Sequence, residues 1–331
     1  MDNFRTIIPI KKEFHLSHAD DIVSMGSCFA DRIGNLLKQS GFYVEQNPFG
    51  VLYNPMSVVK ALELLWYDIP FKEDDLFEYQ GLYSSFMHHT SFSGSDKDAV
   101  LQRIRSVNHR ASEALHDATC LMITFGTSWV YALAETGKIV ANCHKLPDYH
   151  FVRRRLEVDE IVDYYTSFFE TVFQEKPDLK VLMTVSPIRH FKDGAHENTL
   201  SKAVLHLAID ELSLRFPQIV YFPAYELLMD ELRDYRFYAD DLVHPSAKAV
   251  EMVWQRFVQV AMNADTQQLM KQCNNLAQAL NHRPLQPQSE ENCRFLQQIM
   301  LKIEELSEKY PNLDFQNEKA LCHTRLNNLQ K

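Results

Sequence analysis

Two short segments of the sequence carry side chains that could act in nucleophilic catalysis. The first is Gly26-Ser27-Cys28, which closes the apolar run that begins at Ile22 and precedes a predicted helix. A nucleophile on such a turn is exposed, and the N-terminus of the helix supplies positive potential and free N–H groups. This potential favours the reactive thiolate of a cysteine, whereas a serine hydroxyl needs a neighbouring base. Ser27 is equally typical of a helix cap and Cys28 of a small core residue, so both interpretations stay open.

The second segment is Asp241-Leu242-Val243-His244, in which an aspartate precedes a histidine by three residues. In a loop that leads into a helix, Asp241 can accept a hydrogen bond from the ring of His244 and fix its tautomer. The other ring nitrogen is then available as a base. Ser246 can cap the helix that follows and hold the loop rigid. The pattern is common by chance, so its meaning depends on the fold around it.

The elements between these segments alternate between strands and helices. Apolar runs closed by Gly, Ser or Pro predict strands at residues 22–26, 120–125, 179–185 and 219–222. Amphipathic periodicity predicts helices at about 30–39, 158–173 and 197–215, and glycine in a short connection predicts a hairpin at 129–142. This alternation implies an α/β fold with a mostly parallel sheet. Ligands of such sheets bind outside the carboxyl ends of the strands, where Gly26, Gly126 and Ser186 fall.

Composition narrows the class of protein. The net charge of −10 over 331 residues argues against nucleic acid as a partner, and the only basic run, residues 153–155, reads as a solvated loop or helix start. The six cysteines include no Cys-x-x-Cys pair, so neither a disulfide framework nor a zinc site is indicated. No apolar stretch approaches the ~20 residues of a membrane span and no signal peptide is evident. We therefore expect a soluble, cytoplasmic protein without membrane partner, metal or cofactor.

The character of the chain changes near residue 264, where a glutamine-rich segment begins. We predict an α/β domain at residues 1–264 and a C-terminal helical extension at 265–331, with a linker around Pro284 and Pro287. Apolar residues in the extension recur at helical spacing: Phe295, Leu296, Ile299, Met300, Ile303 and Leu306. Such a stripe packs on the core or on a second subunit, so a homodimer through these helices is one expected assembly.

The stretch Gly26-Ser27-Cys28-Phe29-Ala30 resembles the motif that names the GSCFA family. Later segments resemble the same family in order: Asn47-Pro48-Phe49-Gly50, Phe125-Gly126-Thr127-Ser128, Asn142-Cys143-His144-Lys145 and Val185-Ser186-Pro187-Ile188-Arg189-His190. The resemblance covers roughly residues 8–250. The family is itself similar to the SGNH/GDSL hydrolases, which implies a three-layer α/β/α sandwich with a mostly parallel sheet, followed here by the helical extension.

The resemblance also implies roles for the two chemical segments. Gly26 matches the glycine of the first SGNH block, and without a gap Cys28 falls on the nucleophilic serine of that block. A shift by one residue would make Ser27 the nucleophile instead. Asp241 and His244 match the final Asp-x-x-His block without departure.

The remaining blocks imply an oxyanion hole, and polar residues near predicted strand ends and loops suggest a substrate pocket. Gly50 matches the second-block glycine, whose N–H binds the oxyanion, and Ser128 replaces the usual asparagine with a weaker donor; loss of one such donor typically costs about 10²–10³ in rate. Lys145, Arg189 and His144 suit a carboxylate or phosphate, and Trp129 suits either a sugar ring or the core. The residues expected to line the pocket are Asn54, His88, Trp129, His144, Lys145, Arg189 and His190.

Three functions are compatible with these residues. The first is an esterase or O-acyltransferase acting on an acylated carbohydrate or another small-molecule ester, with Ser27 or Cys28 as nucleophile. The second is a non-catalytic binding module for a glycan or small molecule, in which the altered blocks mark a decayed site. The third is a dimeric scaffold organised by the C-terminal helices, which leaves the Asp-x-x-His segment without a purpose.

Overall fold

A computed structural model describes residues 5–281, 288–310, 313 and 315–329. Its strands are β1 (Ile22–Gly26), β2 (Val44–Gln46), β3 (Phe77–Tyr79), β4 (Leu82–Ser84), β5 (Cys120–Phe125), β6 (Trp129–Leu133), β7 (Ile139–Val140), β8 (Phe151–Arg155), β9 (Lys180–Val185) and β10 (Ile219–Tyr221). Its helices are α1 (Cys28–Gln39), α2 (Pro55–Trp66), α3 (Lys97–Asp117), α4 (Val158–Glu175), α5 (Ala195–Arg215), α6 (Ala224–Glu226), α7 (Ala247–Ala261), α8 (Ala264–Asn281), α9 (Glu290–Lys309) and α10 (Gln316–Leu329).

The centre of the molecule is a five-stranded parallel sheet in the order β10-β9-β5-β1-β2. The predicted parallel α/β arrangement is therefore confirmed. Strand β1 lies between β2 and β5, with Gly26 level with Thr124. Because the strands are parallel, the turn after β1 and the residues after β5 and β9 meet at one edge of the sheet.

Helices cover both faces of this sheet. Side chains of β1 alternate, so that Val23 and Met25 join one core while Ile22 joins the other. The first core also receives buried residues from α2, α3, α4 and α5, and the second receives them from α1 and α7. Near-continuous apolar strands are what a sheet buried on both faces requires.

A smaller antiparallel sheet, in the order β7-β6-β8, follows the central strand β5. The predicted hairpin is confirmed as β6 and β7. The loop or helix start predicted for residues 153–155 is wrong, because this basic run lies in β8, paired along β6. Each arginine has a carboxylate partner on a neighbouring segment: Arg153 pairs with Asp193, Arg154 with Glu160 and Arg155 with Glu197.

The C-terminal helices α8, α9 and α10 bury a core of their own. Leu296, Ile299, Ile303 and Leu306 of the predicted stripe are buried, and the last three lie in this core together with Cys273 of α8. Asn274 of α8 also contacts Ser40 after α1, with 3.3 Å between Asn274 Nδ2 and Ser40 Oγ. The helices therefore pack on each other and touch the α/β part. The linker predicted around Pro284 and Pro287 lies outside the described residues.

Candidate active site

The turn after β1 is held in one conformation by close packing against β5. Gly26 has a φ of +141°, and a Cβ atom on it would lie 2.2 Å from the carbonyl oxygen of Thr124. Its N–H donates to Asn47 Oδ1 at 2.8 Å, and the N–H of Ser27 donates to Thr124 O at 3.2 Å. Glycine is required here because no side chain fits between the two strands. The next residue is thereby delivered to the edge of the sheet.

Ser27 and Cys28, the two candidate nucleophiles, have different surroundings. Ser27 is buried and caps α1, since its Oγ accepts from the N–H of Phe29 at 3.3 Å. Cys28 is the first residue of α1 and is only partly buried. Its Sγ lies 3.2 Å from the hydroxyl oxygen of Tyr53. The structure thus exposes the thiol rather than the hydroxyl at the N-terminus of the helix.

Tyr53 belongs to a segment that crosses the ends of β1 and β5. The N–H of Leu52 donates to Gly26 O at 2.9 Å, and the carbonyl of Tyr53 accepts from Gly126 N at 2.8 Å and Thr127 N at 2.9 Å. These bonds fix the backbone on both sides of the ring and place its hydroxyl against Cys28. Burial and the neighbouring thiol raise the pKa of Tyr53, so the phenol remains a hydrogen-bond donor at neutral pH. No motif in the sequence singles out Tyr53.

Asp241 and His244 form the predicted hydrogen-bonded pair. His244 Nδ1 lies 2.6 Å from Asp241 Oδ2, while Asp241 Oδ1 accepts from the N–H groups of Val243 at 3.0 Å and His244 at 2.9 Å. These backbone bonds lower the pKa of Asp241 to about 2, so its carboxylate is ionised at neutral pH. Within the described chain, Nε2 of His244 has no hydrogen-bond partner. The ring is oriented by one nitrogen and open at the other.

A hydrogen bond joins the loop of this pair to α1, the helix that begins at Cys28. Arg32 of α1 donates from Nη1 to the carbonyl of Pro245 at 3.0 Å, next to His244. The ring of His190 packs edge-on against Tyr53, with 5.9 Å between centroids. Burial, helped by the charges of Lys202 and His244, lowers the pKa of His190 to about 4, so this ring is neutral at neutral pH. We call Cys28, Tyr53, His190 and His244 the cluster: Cys28 contacts Tyr53, Tyr53 contacts His190, and the charge of His244 acts on His190.

The two groups predicted for an oxyanion hole have other partners in this structure. The N–H of Gly50 donates to Asn47 O at 2.7 Å. Ser128 is fully buried, and its Oγ donates to Ser201 Oγ of α5 at 3.0 Å. Either group would have to leave its present partner before it could bind an oxyanion.

Three of the residues predicted to line the pocket make contacts that hold the fold together. Asn54 caps α2, with Oδ1 accepting from Ser57 N at 2.8 Å. His88 is fully buried and stacks on Phe49 with 4.6 Å between centroids, and burial lowers its pKa to about 3. The ring of Trp129 is partly buried beneath the guanidinium of Arg153, whose Cζ lies 4.3 Å from the ring centroid.

The other predicted pocket residues divide into two places. His144 and Lys145 lie beyond β7 with φ of 48° and 61°. His144 Nε2 bonds to Ser85 O at 2.8 Å, and burial lowers its pKa. Arg189 and His190 follow β9, and His190 reaches the cluster through its contact with Tyr53. The structure therefore places Arg189 and His190 beside the catalytic candidates and holds His144 by contacts of its own.

A family model matches the part of the chain that contains this cluster. The model of the GSCFA family matches residues 21–257, which include every residue of the cluster. The chain belongs to the GSCFA family. A second family model, described as the C-terminal domain of GSCFA domain proteins, matches residues 273–328. Neither the curated proteins nor the solved structures contain a significant match.

Two further properties of the GSCFA chain concern metal and membrane. Within the described ranges, no three His, Cys, Asp or Glu side chains lie together in a way that could hold a metal ion. In the same part of the chain, no helix is both long and apolar enough to cross a membrane.

A buried lysine beneath the site has no signature in the sequence. Lys202 of α5 is only 2% exposed, and its Nζ donates to the carbonyls of Gly126 at 2.6 Å and Ser186 at 2.7 Å. These carbonyls follow the ends of β5 and β9, so Lys202 ties together the two strand ends that carry the site. Burial, and to a lesser extent the charge of Arg189, lowers the pKa of Lys202 to about 7. Its neighbours in α5 are apolar or small, and nothing in the helical pattern marks a buried cation.

The depressed pKa of Lys202 predicts a pH dependence of stability. The pKa of Lys202 is near 10.5 when the side chain is exposed in the unfolded chain, and burial lowers it to about 7 in the folded one. Between these values the unfolded chain binds more protons, so the free energy of unfolding should rise with pH in this window. Urea unfolding should show that the stability of wild type relative to Lys202→Met increases as pH rises from about 7 to 9. The exposed Lys248→Met is the control, and a relative stability that does not change with pH would contradict this prediction.

Proposed function

We propose that this GSCFA protein is an acyl-transfer enzyme of the SGNH type, acting on acyl esters and in particular on an acylated carbohydrate. The observation that carries the proposal is the geometry of Asp241 and His244. Asp241 Oδ2 lies 2.6 Å from Nδ1 of His244, and two backbone N–H groups hold its other oxygen. An imidazole oriented in this way by a carboxylate is a general base, as in serine and cysteine hydrolases. A binding pocket has no particular need of it.

The architecture supports the same class of enzyme. A parallel sheet covered by helices on both faces is compatible with an SGNH-like sandwich. The proposed nucleophile follows β1, the first strand, and the Asp-His pair precedes α7, the last helix of the α/β part. The order of nucleophile, aspartate and histidine in the chain is that of the SGNH blocks to which Gly26, Asp241 and His244 were matched.

Of the two candidate nucleophiles, we assign the role to Cys28. Its thiol is partly exposed and lies at the first residue of a twelve-residue helix, where a substrate carbonyl can reach it. The hydroxyl of Ser27 is buried and already caps α1. A buried capping group is a poor nucleophile because it cannot approach a substrate carbonyl without disrupting the start of the helix.

The proposed reaction has two steps. His244 takes the proton from Cys28 Sγ through Nε2, and the sulfur forms a bond to the ester carbonyl carbon. The tetrahedral intermediate then collapses, the C–O bond of the ester breaks and His244 returns the proton to the departing alcohol. Water or a sugar hydroxyl attacks the resulting thioester, loses its proton to His244 and releases the thiol. Water as acceptor makes the protein an esterase, and a sugar hydroxyl makes it an O-acyltransferase.

The developing oxyanion needs donors close to Cys28. The hydroxyl of Tyr53 lies 3.2 Å from Sγ and is protonated at neutral pH, and the first N–H groups of α1 lie at the same end of the helix. Gly50 and Ser128 would contribute only after leaving Asn47 and Ser201. We therefore assign the first donor role to Tyr53.

The test is ester turnover by variants of the pair. With p-nitrophenyl acetate and an acetylated sugar as substrates, His244→Ala should lose about 10²–10⁴ in kcat/KM because a general base contributes that much. Asp241→Asn should lose activity to a similar extent, up to about 10⁴, because the amide would donate to Nδ1 and favour the tautomer of His244 whose Nε2 is already protonated. His109→Ala, an exposed histidine of α3, is the matched control and should retain full activity. Full activity in His244→Ala would overturn the proposal.

A second function, a non-catalytic binding module, is favoured by the state of Gly50 and Ser128. Both predicted oxyanion donors are engaged elsewhere, which is what a decayed site would show. This alternative predicts binding of a glycan or small molecule with no turnover of any ester. It also predicts that His244→Ala changes affinity without changing any rate.

A further inference from the structure

A cleft of about 280 Å³ lies directly beside the loop that carries the Asp-His pair. Leu242 and Val243, the two residues between Asp241 and His244, line it. Phe191, which follows the strand-end residues Arg189 and His190, also lines the cleft, as do Tyr235 and Tyr238. The cleft has about the volume of the smallest ligand pockets, enough for one ring or a short branched chain. We call it the dyad cleft.

The walls of the dyad cleft expose apolar side chains. The exposed fractions are 46% for Phe191, 76% for Tyr235 and 56% for Leu242. A leucine is unexpected at position 242, because its φ of +58° is a conformation that favours Gly or Asn. A bulky apolar residue kept in such a conformation and turned towards solvent does not serve the core. Strain and exposed apolar surface at one place are typical of a surface that binds a ligand.

A fixed cation, the guanidinium of Arg189, also lines the dyad cleft. Arg189 Nε donates to Asn198 Oδ1 at 2.9 Å, and Nη2 donates to Thr199 Oγ1 at 3.0 Å and to Ala195 O at 3.1 Å. Its Cζ lies 5.1 Å from the ring centroid of Phe191. These contacts hold the planar group in place before any ligand arrives.

The charge of Arg189 is not neutralised by the protein. Within the described chain no carboxylate forms an ion pair with it, whereas Arg233 at the same cleft pairs with Asp230 at 2.9 Å. Asp234, the carboxylate that also lines the cleft, pairs with Arg236 at 3.0 Å. The guanidinium of Arg189, without such a partner in a chain of net charge −10, creates a local positive potential at the cleft. Such a potential selects an anionic ligand.

We infer that the dyad cleft binds an aromatic or branched apolar group that bears a carboxylate or phosphate, with the anion on Arg189 and the apolar part between Leu242 and Phe191. In the proposed reaction the cleft would hold either the acyl part or the alcohol part of the ester, and to that extent the inference rests on the proposed function. As a binding site it can be tested without turnover. The arrangement gives the enzyme a preference for charged substrates over neutral acetyl esters of the same reactivity.

The experiment measures the affinity of three small probes for the full chain by calorimetry or ligand-observed NMR. Phenylacetate and phenyl phosphate present a ring with either kind of anion, and benzyl alcohol presents the ring alone. The variants are Arg189→Gln, which removes the cation, and Leu242→Asn, which removes the apolar wall but tolerates a positive φ. Arg154→Gln, on the exposed face of β8, is the matched control. Circular dichroism verifies that each variant is folded.

We expect wild type to bind at least one anion about 10-fold more tightly than benzyl alcohol, as a charge-assisted hydrogen bond provides. Arg189→Gln should remove this preference for the anion. Leu242→Asn should lower the affinity for the anion several-fold, and Arg154→Gln should leave all three affinities unchanged. Which of the two anions binds more tightly identifies the substituent as carboxylate or phosphate. Equal or absent binding of anions and alcohol, or an unchanged preference in Arg189→Gln, would overturn the inference.

The probes contain no ester, so the result separates this inference from the proposed function. Binding of the anions without any ester turnover would support the dyad cleft as a binding site and contradict the proposed enzymatic function. Ester turnover that depends on His244, without anion binding, would contradict anion binding by the dyad cleft and support the proposed enzymatic function.

Discussion

Gly26→Ala is expected to lower the free energy of unfolding by about 3 kcal/mol or more, the largest effect on stability that we predict. The added Cβ would lie 2.2 Å from Thr124 O and 2.9 Å from Thr124 N, both backbone atoms of the neighbouring central strand. Neither β1 nor β5 can move aside without breaking the parallel register that joins them. The φ of +141° adds strain that no side chain relieves.

A second glycine separates the cost of the steric clash with Thr124 from the cost of the strained backbone. Gly137 also has a positive φ, +69°, but an added Cβ would meet no atom within 4 Å. Gly137→Ala should therefore cost only the strain of the backbone, about 1–2 kcal/mol. Urea unfolding followed by circular dichroism measures both variants. Equal losses in the two would mean that contact with Thr124 is not what requires glycine after β1.

The largest effect on activity is expected for Cys28→Ala, which should lower ester turnover by about 10³-fold or more. Alanine removes the atom that forms the acyl intermediate and leaves the start of α1 intact. Whatever turnover remains would come from positioning and from the donors around the oxyanion. The measurement is kcat/KM on the same esters, with the melting temperature as evidence of folding.

Ser27→Ala is the paired variant for this prediction. It removes a helix cap, so it should cost about 1 kcal/mol of stability and leave most of the activity below the melting temperature. The opposite pattern, with activity lost in Ser27→Ala and kept in Cys28→Ala, would move the nucleophile by one residue. That outcome would require the buried hydroxyl to turn away from the N–H of Phe29.

The strands of the central sheet were predictable where the sequence is apolar and closed by a turn residue. β1, β5 and β9 are buried on both faces, and each ends at or just before a Gly or Ser. Ser246 was predicted as a cap, and a cap was one of the two interpretations left open for Ser27; both accept bonds from the backbone of the helix they begin. These features depend on neighbouring residues alone, which is why one sequence suffices.

The strand and the side chains that the sequence did not predict depend on partners distant in the chain. β8 contains three arginines and reads as solvated, yet it pairs with β6 and each arginine meets a carboxylate. Lys202 is buried because two strand ends present carbonyls to it, and Tyr53 matters because its backbone crosses the ends of β1 and β5. No spacing within the sequence encodes such contacts.

The candidate site was predictable in part for the same reason. The Asp-x-x-His pattern is local, so the bond between Asp241 and His244 followed from spacing. The partners of Gly50 and Ser128 are set by the folded chain, and the motif could not show that Asn47 and Ser201 engage them. His88 sits among Phe49, Phe71 and Phe92, a set of aromatic rings that only the fold assembles.

The most direct test of acyl transfer through Cys28 is the intact mass of the protein after brief mixing with p-nitrophenyl acetate and acid quenching. Wild type and Ser27→Ala should each gain one acetyl group, located on Cys28 by peptide mapping. Cys28→Ala should gain none at this site, and His244→Ala should acquire it far more slowly. No adduct on Cys28 in wild type, or an adduct formed equally fast in His244→Ala, would contradict the account.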